Sequence, residues 1–359
     1  MNTRRWQIDP GGRSLPSLRN DPAVGEAAAM LRAGKLVAFP TETVYGLGAD
    51  ASDDLAVRSI FRAKDRPSDN PLIVHVAEES VLYDWIRKMP ETGRRLASAF
   101  WPGPLTLVLE HRGTLASSVT AGLSTVGVRV PSHPVARALL FQAGVPVAAP
   151  SANRSGKPSP TSAEHVWGDL AGRIHGLLDG GPSGVGVEST VVDVTGPTPL
   201  LLRPGGITLD RLQQVTPTVE VDPGLQGGAV VPRSPGVKYR HYAPRGEMWV
   251  VAGSGEAQVK RVQALADEGT AAGYKVGILT TEERRKRYRA DWVLPCGRRS
   301  DPASVARNLY RVLRCFDELG AEWIVAEGFE GKGLYDSVMN RLSKAADGRL
   351  IDTNTNLSP

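Results

Sequence analysis

Residues 62–76 read Arg-Ala-Lys-Asp-Arg-Pro-Ser-Asp-Asn-Pro-Leu-Ile-Val-His-Val, with cations at Arg62, Lys64 and Arg66, a polar bend bounded by Pro67 and Pro71, and then an apolar run. The run must be buried, whereas the three charges before it must stay solvated or paired. The stretch therefore predicts a helix end, a charged loop and the start of a buried strand in succession. Such a loop has to face something negative.

Comparable apolar runs at 36–39, 105–109, 125–131, 145–150, 174–179, 190–193 and 200–203 predict further strands. Helices are expected between them: one opened by Asp21-Pro22 and stopped at Gly34, then 53–63, 79–88, 91–100, 134–143 and 161–171. Strands alternating irregularly with helices over 21–205 predict an open, twisted mixed α/β sheet. Residues 1–20 look like a loosely tied arm. Residues 206–245 are thin in helix signals and rich in Pro and Gly, which predicts a linker that docks over a site. From 246 to 350 strand and helix alternate regularly, which predicts a smaller, Rossmann-like doubly wound parallel sheet, with a tail at 351–359. Two domains suit 359 residues, because one hydrophobic core seldom serves more than roughly 250–300.

The formal net charge of +5 favours anionic ligands such as nucleotides or RNA without identifying one. Two cysteines, Cys296 and Cys315, are too few for a zinc cage or a disulfide framework. No apolar run approaches a membrane span and the first residues lack a signal-peptide core, so a cytoplasmic protein is expected.

The polar exceptions carry the chemistry. In 40–51, Gly46-Leu-Gly48-Ala-Asp-Ala51 imitates a dinucleotide fingerprint, but six residues separate it from the preceding strand. Thr41, Glu42, Thr43 and Tyr45 of that loop either hold a small polar substrate or form a capped turn. Arg129, alone in an apolar strand, needs either a protein carboxylate or the carboxylate or phosphate of a ligand. Ser151, Asn153 and Ser159 follow a strand end, the usual ligand side of an open α/β sheet, in a segment that also suits a plain surface turn. Residues 180–190 form a Gly-rich loop able to wrap phosphates, without the Gly-Lys-Ser/Thr of a Walker A loop. Arg203 ends a strand before a Pro-Gly turn, which would point its guanidinium over the sheet edge. Residues 282–289 suit a solvated helix face or an RNA contact. No nucleophile is paired with a base, and no metal-ligand spacing occurs. Fixed cations without a covalent nucleophile suit nucleotidyl or phosphoryl transfer.

Seven ordered motifs, Pro40-Thr-Glu-Thr-Val-Tyr-Gly-Leu, Lys64-x-Arg66-Pro with Asn70-Pro-Leu, Trp101-Pro-Gly-Pro-Leu-Thr, Val128-Arg-Val-Pro, Ala149-Pro-Ser-Ala-Asn, Glu188-Ser-Thr-Val-Val-Asp and Arg203-Pro-Gly, resemble those of the YrdC-type threonylcarbamoyl-AMP synthases. Ser234-Pro-Gly-Val-Lys-Tyr-Arg-His-Tyr-Ala-Pro244 resembles the linker of the two-domain form. The resemblance implies a nucleotidyltransferase that joins L-threonine, bicarbonate and ATP into threonylcarbamoyl-adenylate and pyrophosphate, the first step of a tRNA modification completed by a downstream threonylcarbamoyl transferase machinery. By motif, it implies ATP contacts at Lys64, Arg66, Asn70, Thr125, Ser151, Asn153, Ser159, Arg203 and Tyr239, with Lys64 and Arg66 as the catalytic pair. It implies threonine contacts at Thr43, His75, Arg129, Ala149 and Ser189, and a cover made by Tyr239, His241 and Tyr242. Mg²⁺ would arrive on the ATP phosphates with no ligand from the protein. Two other classes fit less of the chain: an RNA-binding module, for which the charge and arginine clusters speak, and a carbamoyl-phosphate-using domain, whose acylphosphatase and zinc-finger segments are missing. Weak RNA binding is also compatible with the synthase reading.

Overall fold

The computed structural model describes residues 1–226 and 242–353. Tyr239 and His241 lie outside the described residues. The chain divides into two compact units, the second of which takes the chain after the undescribed segment together with Gly156–Pro158 and Val185–Val187. Among the described residues no helix is long and apolar enough to cross a membrane.

The first unit is built on an 11-stranded mixed sheet. Its spatial order is Arg4–Gln7, Gly176–Asp179, Val37–Phe39, Gly46–Asp50, Val147–Ala148, Ile73–His75, Thr125–Arg129, Leu105–Glu110, Thr190–Asp193, Leu200–Arg203 and Glu220–Val221. The helices are set by the capping chemistry that the sequence announces. Asp21 accepts from Ala23 N with Pro22 at the first position of Pro22–Arg32, and Asp53 accepts from Leu55 N and Ala56 N to open Asp54–Lys64. The amphipathic helix Asp54–Lys64 buries Ala56, Val57, Ile60 and Phe61 in the core.

Four expectations are corrected here. Residues 1–20 are not a loose arm: Arg4–Gln7 pairs in parallel with Gly176–Asp179, Leu15–Arg19 is helical, and Trp6, Ile8 and Leu18 are buried. A four-residue edge strand leaves too short a pattern to read from the sequence. Gly46–Asp50 is a strand antiparallel to Val37–Phe39 and to Val147–Ala148, where the sequence reads as loop. Gly48 is required by packing, because a Cβ there would lie 2.8 Å from Val147 Cγ1 and 2.9 Å from the Phe39 ring. The expected helix at 79–88 is a 3-10 helix, Glu79–Asp84, because the chain then turns to bridge Ile86 with His111. The linker cannot begin at 206, because Thr208 caps the helix Leu209–Val215, Leu212 is buried, and Glu220–Val221 joins the sheet beside Leu200–Arg203. So short a helix shows no repeat of its apolar face.

The second unit has a five-stranded parallel sheet in the order Trp292–Pro295, Val276–Thr280, Trp323–Glu327, Glu247–Ala252 and Leu350–Asp352. The last strand lies where the sequence reading begins a tail. Val276 and Ile278 pack with Val259, Val262 and Leu265 of helix Gly255–Ala271. Gly277, on the opposite face, meets the Phe316 ring of helix Pro302–Leu319. Helices thus cover both faces, the doubly wound arrangement.

The basic run 282–289 is largely exposed, as expected, but it is no regular helix face: 282–284 turn into the short 3-10 helix Arg285–Arg287, and Arg284 and Tyr288 donate to the fully buried carboxylate of Glu327. Tyr242 is buried within this unit, its ring 5.4 Å from that of Tyr310 and 5.6 Å from the Arg341 guanidinium carbon.

Gly48→Ala should cost about 1–3 kcal/mol through overpacking, seen as a lower urea midpoint at an unchanged m-value.

Candidate functional site

Residues 40–45 leave the strand Val37–Phe39 and are held by their own side chains. Thr41 Oγ1 donates to Val44 O at 2.6 Å, so the 2.8 Å contact between the hydroxyls of Thr41 and Thr43 uses the Thr43 proton. Thr43 Oγ1 is then left as an acceptor, and Arg129 Nη1 donates to it at 2.9 Å. Tyr45 fixes the far end: its N–H donates to Pro160 O, its carbonyl accepts from Ala152 N, and its hydroxyl donates to Gly181 O.

Arg129 ends the strand Thr125–Arg129 and is 3% exposed. Its Nε donates to Gly103 O at 3.3 Å, and its Nη2 lies 2.7 Å from Glu42 Oε1, outside hydrogen-bond angles. The sequence leaves open whether this arginine has a protein carboxylate as partner; Glu42 is that partner. Beside Arg129 in the sheet register lies His75. Burial first, and then the Arg129 cation, push its imidazole down to about 3. The ring is therefore neutral, and the 3.3 Å contact of Nδ1 with Ile73 O places the proton on Nδ1 and the lone pair on Nε2.

Ser189 stands just before the strand Thr190–Asp193, on the same edge of the sheet as Arg129. Arg203 donates to Ser189 O through Nε at 3.1 Å and Nη2 at 2.9 Å, and to its hydroxyl at 3.1 Å. The guanidinium is thus buried against the Ser189 backbone at the strand end. Gly205 permits this approach, since a Cβ there would lie 2.3 Å from Thr190 N. Ser159 donates to Glu188 Oε1 at 2.6 Å, and both are buried.

Lys64, 1% exposed, donates through Nζ to the carbonyl oxygens of Ser151 and Asn153. Ser155 N donates in return to Lys64 O, and the exposed Asp65 accepts from Arg154, which holds its carboxyl below the usual carboxylate range. These bonds fasten the loop after helix Asp54–Lys64 to residues 151–155. Asp65 makes the turn in left-handed geometry, φ 52°. Arg66 follows it half-buried; Asn70 is buried with neither amide atom hydrogen-bonded. Thr125 opens its strand over a shallow depression lined also by Pro71, Ile73, Thr106, Gly127 and Val191. Ala149 follows Val147–Ala148, its N–H on Ile73 O.

The registers place these residues in two groups. Val147–Ala148 runs antiparallel to Ile73–His75, so Ser151 and Asn153 leave at the edge where Ile73 begins, away from His75 and Arg129. The carboxyl-end rule of parallel sheets therefore does not transfer to this loop. Residues 40–45 join the groups, because Gly46 bridges Ser151 while Thr43 reaches Arg129. Such a site suits an elongated ligand or two ligands side by side. Glu42 belongs to the loop already singled out in the sequence, but its place beside Arg129, like the pairing of Glu188 with Ser159, is revealed only by contacts made after folding. Among the described residues no cluster of three His, Cys, Asp or Glu side chains is placed to hold a metal ion.

Residues 29–205 match the Sua5/YciO/YrdC family, described as telomere recombination, and residues 207–347 match the threonylcarbamoyl-AMP synthase C-terminal domain. The threonylcarbamoyl-AMP synthase of Bacillus subtilis is 51% identical over 352 residues, 98% of this chain and 100% of that protein. That of Pyrococcus abyssi is 47% identical over 326 residues, 90% of this chain and 94% of that protein. The crystal structure of P. abyssi Sua5 complexed with L-threonine superposes with a TM-score of 0.89 at 44% identity, covering 98% of this chain and 99% of that one. The motifs, the two sheets and these relatives agree that the chain belongs to the threonylcarbamoyl-AMP synthase family, in its two-domain form.

Proposed function

We propose that the protein is a nucleotidyltransferase that makes L-threonylcarbamoyl-AMP and pyrophosphate from L-threonine, bicarbonate and ATP, for onward transfer to tRNA by a separate threonylcarbamoyl transferase machinery. The observation that carries the reading is Arg129: a buried guanidinium, fixed on two sides by Thr43 and Gly103 O, whose Nη2 makes no hydrogen bond. A substrate carboxylate would complete it. That the P. abyssi relative was solved with L-threonine supports threonine as the donor of that carboxylate.

In this reading threonine lies among Thr43, His75, Arg129, Ala149 and Ser189, and the His75 lone pair can accept from its hydroxyl. ATP lies along Lys64, Arg66, Asn70, Thr125, Ser151, Asn153, Ser159 and Arg203. The threonine carbamate attacks the α-phosphorus in line; a carbamate O–P bond forms, the bond to the bridging oxygen breaks, and pyrophosphate leaves. Lys64 and Arg66 stabilise the charge that develops. Mg²⁺ fits this site only as a passenger on the phosphates, because the cationic donor set suits phosphate and repels a cation; there it would neutralise phosphate charge. Tyr239 and His241, expected to cover the site with Tyr242, fall in the segment not described.

Incubation with ATP, bicarbonate and threonine should yield threonylcarbamoyl-adenylate by mass spectrometry, and no product despite threonine binding would refute the reaction. Lys64→Ala should lower threonine-dependent pyrophosphate release by on the order of 100-fold or more; near-normal turnover would remove Lys64 from the chemistry. Arg129→Lys should raise the KM for threonine about 10–100-fold, because one ammonium cannot fork onto a carboxylate, with the KM for ATP little changed. His75 gives a pH signature. Its folded value of about 3 lies below its ordinary 6.5, so in this window the unfolded chain binds the proton first and stability falls as pH drops. Between pH 7 and pH 5 wild type should lose about 2 kcal/mol more than His75→Gln, as measured by urea unfolding.

A further inference from the structure

Glu42 is the second half of the Arg129 observation. Its side chain is 12% exposed, and both carboxylate oxygens are buried without a hydrogen-bond partner. Among the described residues its one ionic neighbour within contact is Arg129 Nη2 at 2.7 Å, which is likewise buried and without a hydrogen bond. A buried ion pair normally compensates its desolvation with further hydrogen bonds. This one does not, so an anion with two idle acceptors faces a cation with idle donors.

Neighbouring groups do not relieve it. Thr43 has spent its proton on Thr41 and already accepts from Arg129, and His75 has turned its N–H to Ile73 O. The missing partner must bring N–H donors and positive charge to Glu42, and acceptor oxygens with negative charge to Arg129, within the reach of one ion pair. An α-amino acid zwitterion carries both charges on substituents of a single carbon. Entering here, it replaces one poorly bonded pair with two well-bonded ones.

We propose that Glu42 receives the α-ammonium group of the amino-acid substrate, making the site selective for α-amino acids over acids that merely have the right shape. The inference rests on the threonine reading above and adds a residue to it. Glu42 thereby orients the nitrogen that must become the carbamate, while Arg129 holds the carboxylate.

The test measures, by calorimetry, binding of L-threonine and of 2,3-dihydroxybutanoate, in which a hydroxyl replaces the α-amino group, to wild type and to Glu42→Gln. Wild type should bind threonine more than about tenfold tighter than the hydroxy acid, the scale of a charge-assisted hydrogen bond. Glu42→Gln should lose about tenfold or more for threonine and less than about threefold for the hydroxy acid. Equal losses for both ligands would show that Glu42 only holds Arg129 in place, and unchanged threonine affinity would show that it does not meet the ammonium; either overturns the proposal. If Glu42→Gln fails to fold, the wild-type comparison decides alone, since equal affinities for the two ligands would overturn it. Absence of any threonine binding by wild type would instead remove the threonine reading, and this proposal with it.

Discussion

The guanidinium of Arg129 is the point at which the first unit's separate loops become one site. Its three nitrogens face two different segments: the Trp101-Pro-Gly-Pro turn through Gly103 O, and the 40–45 loop through Thr43 and Glu42. A charge this buried cannot be left to water, so every segment near it must bring an acceptor. That requirement fixes residues 40–45 over the sheet and turns the hydroxyl chain from Thr43 through Thr41 to Val44 O into a directional relay of hydrogen bonds. Burial first, and the same cation second, keep His75 neutral, which leaves a lone pair and not a second positive charge beside Arg129.

Backbone devices hold the rest. Lys64 ties the charged loop to the carbonyls of residues 151 and 153, and Asp65, forced left-handed, swings Arg66 away from the helix axis. Gly205 lets the Arg203 turn lie against Thr190, so that Arg203 can grip Ser189 O with two nitrogens. Positively charged side chains here are part of the fold itself, since Lys64 and Arg203 each hold backbone carbonyls of a neighbouring loop.

How much of this was legible depends on the scale of the signal. The Asp21-Pro22 cap, the helix at 53–63 and the apolar strands at 73–75, 105–110 and 125–129 could be read because each rests on a local rule. Arg4–Gln7 and Glu220–Val221 could not, because edge strands of four and two residues owe their existence to partners more than 150 and about 20 residues away in the chain, respectively. Arg129, Ser189 and the Lys64 loop stand out in sequence as polar exceptions. Glu42 is legible only as one of several polar residues of its loop, because its ion pair with Arg129 forms only when folding brings the two together. The edge from which 151–153 leaves was misjudged for a related reason: strand direction within a mixed sheet is a tertiary property.

Two buried carboxylates in this chain show how a structural charge differs from one kept for a ligand. Glu327 of the second unit is fully buried, yet Oε1 accepts from Arg284 and Tyr288 and Oε2 accepts from Arg299, so both oxygens are satisfied by the protein. Glu42 is nearly as buried and has an arginine as close, but neither oxygen accepts a hydrogen bond. The desolvation penalty is similar in kind for both. Only the first is offset within the fold, and it acts as a rivet between a loop and a strand end. The second leaves bonding capacity unused on both partners, a cost that is recovered only when a molecule carrying the complementary charges enters. A buried carboxylate whose oxygens accept no hydrogen bond although an arginine lies beside it, and not burial or charge alone, is what sets Glu42 apart from Glu327.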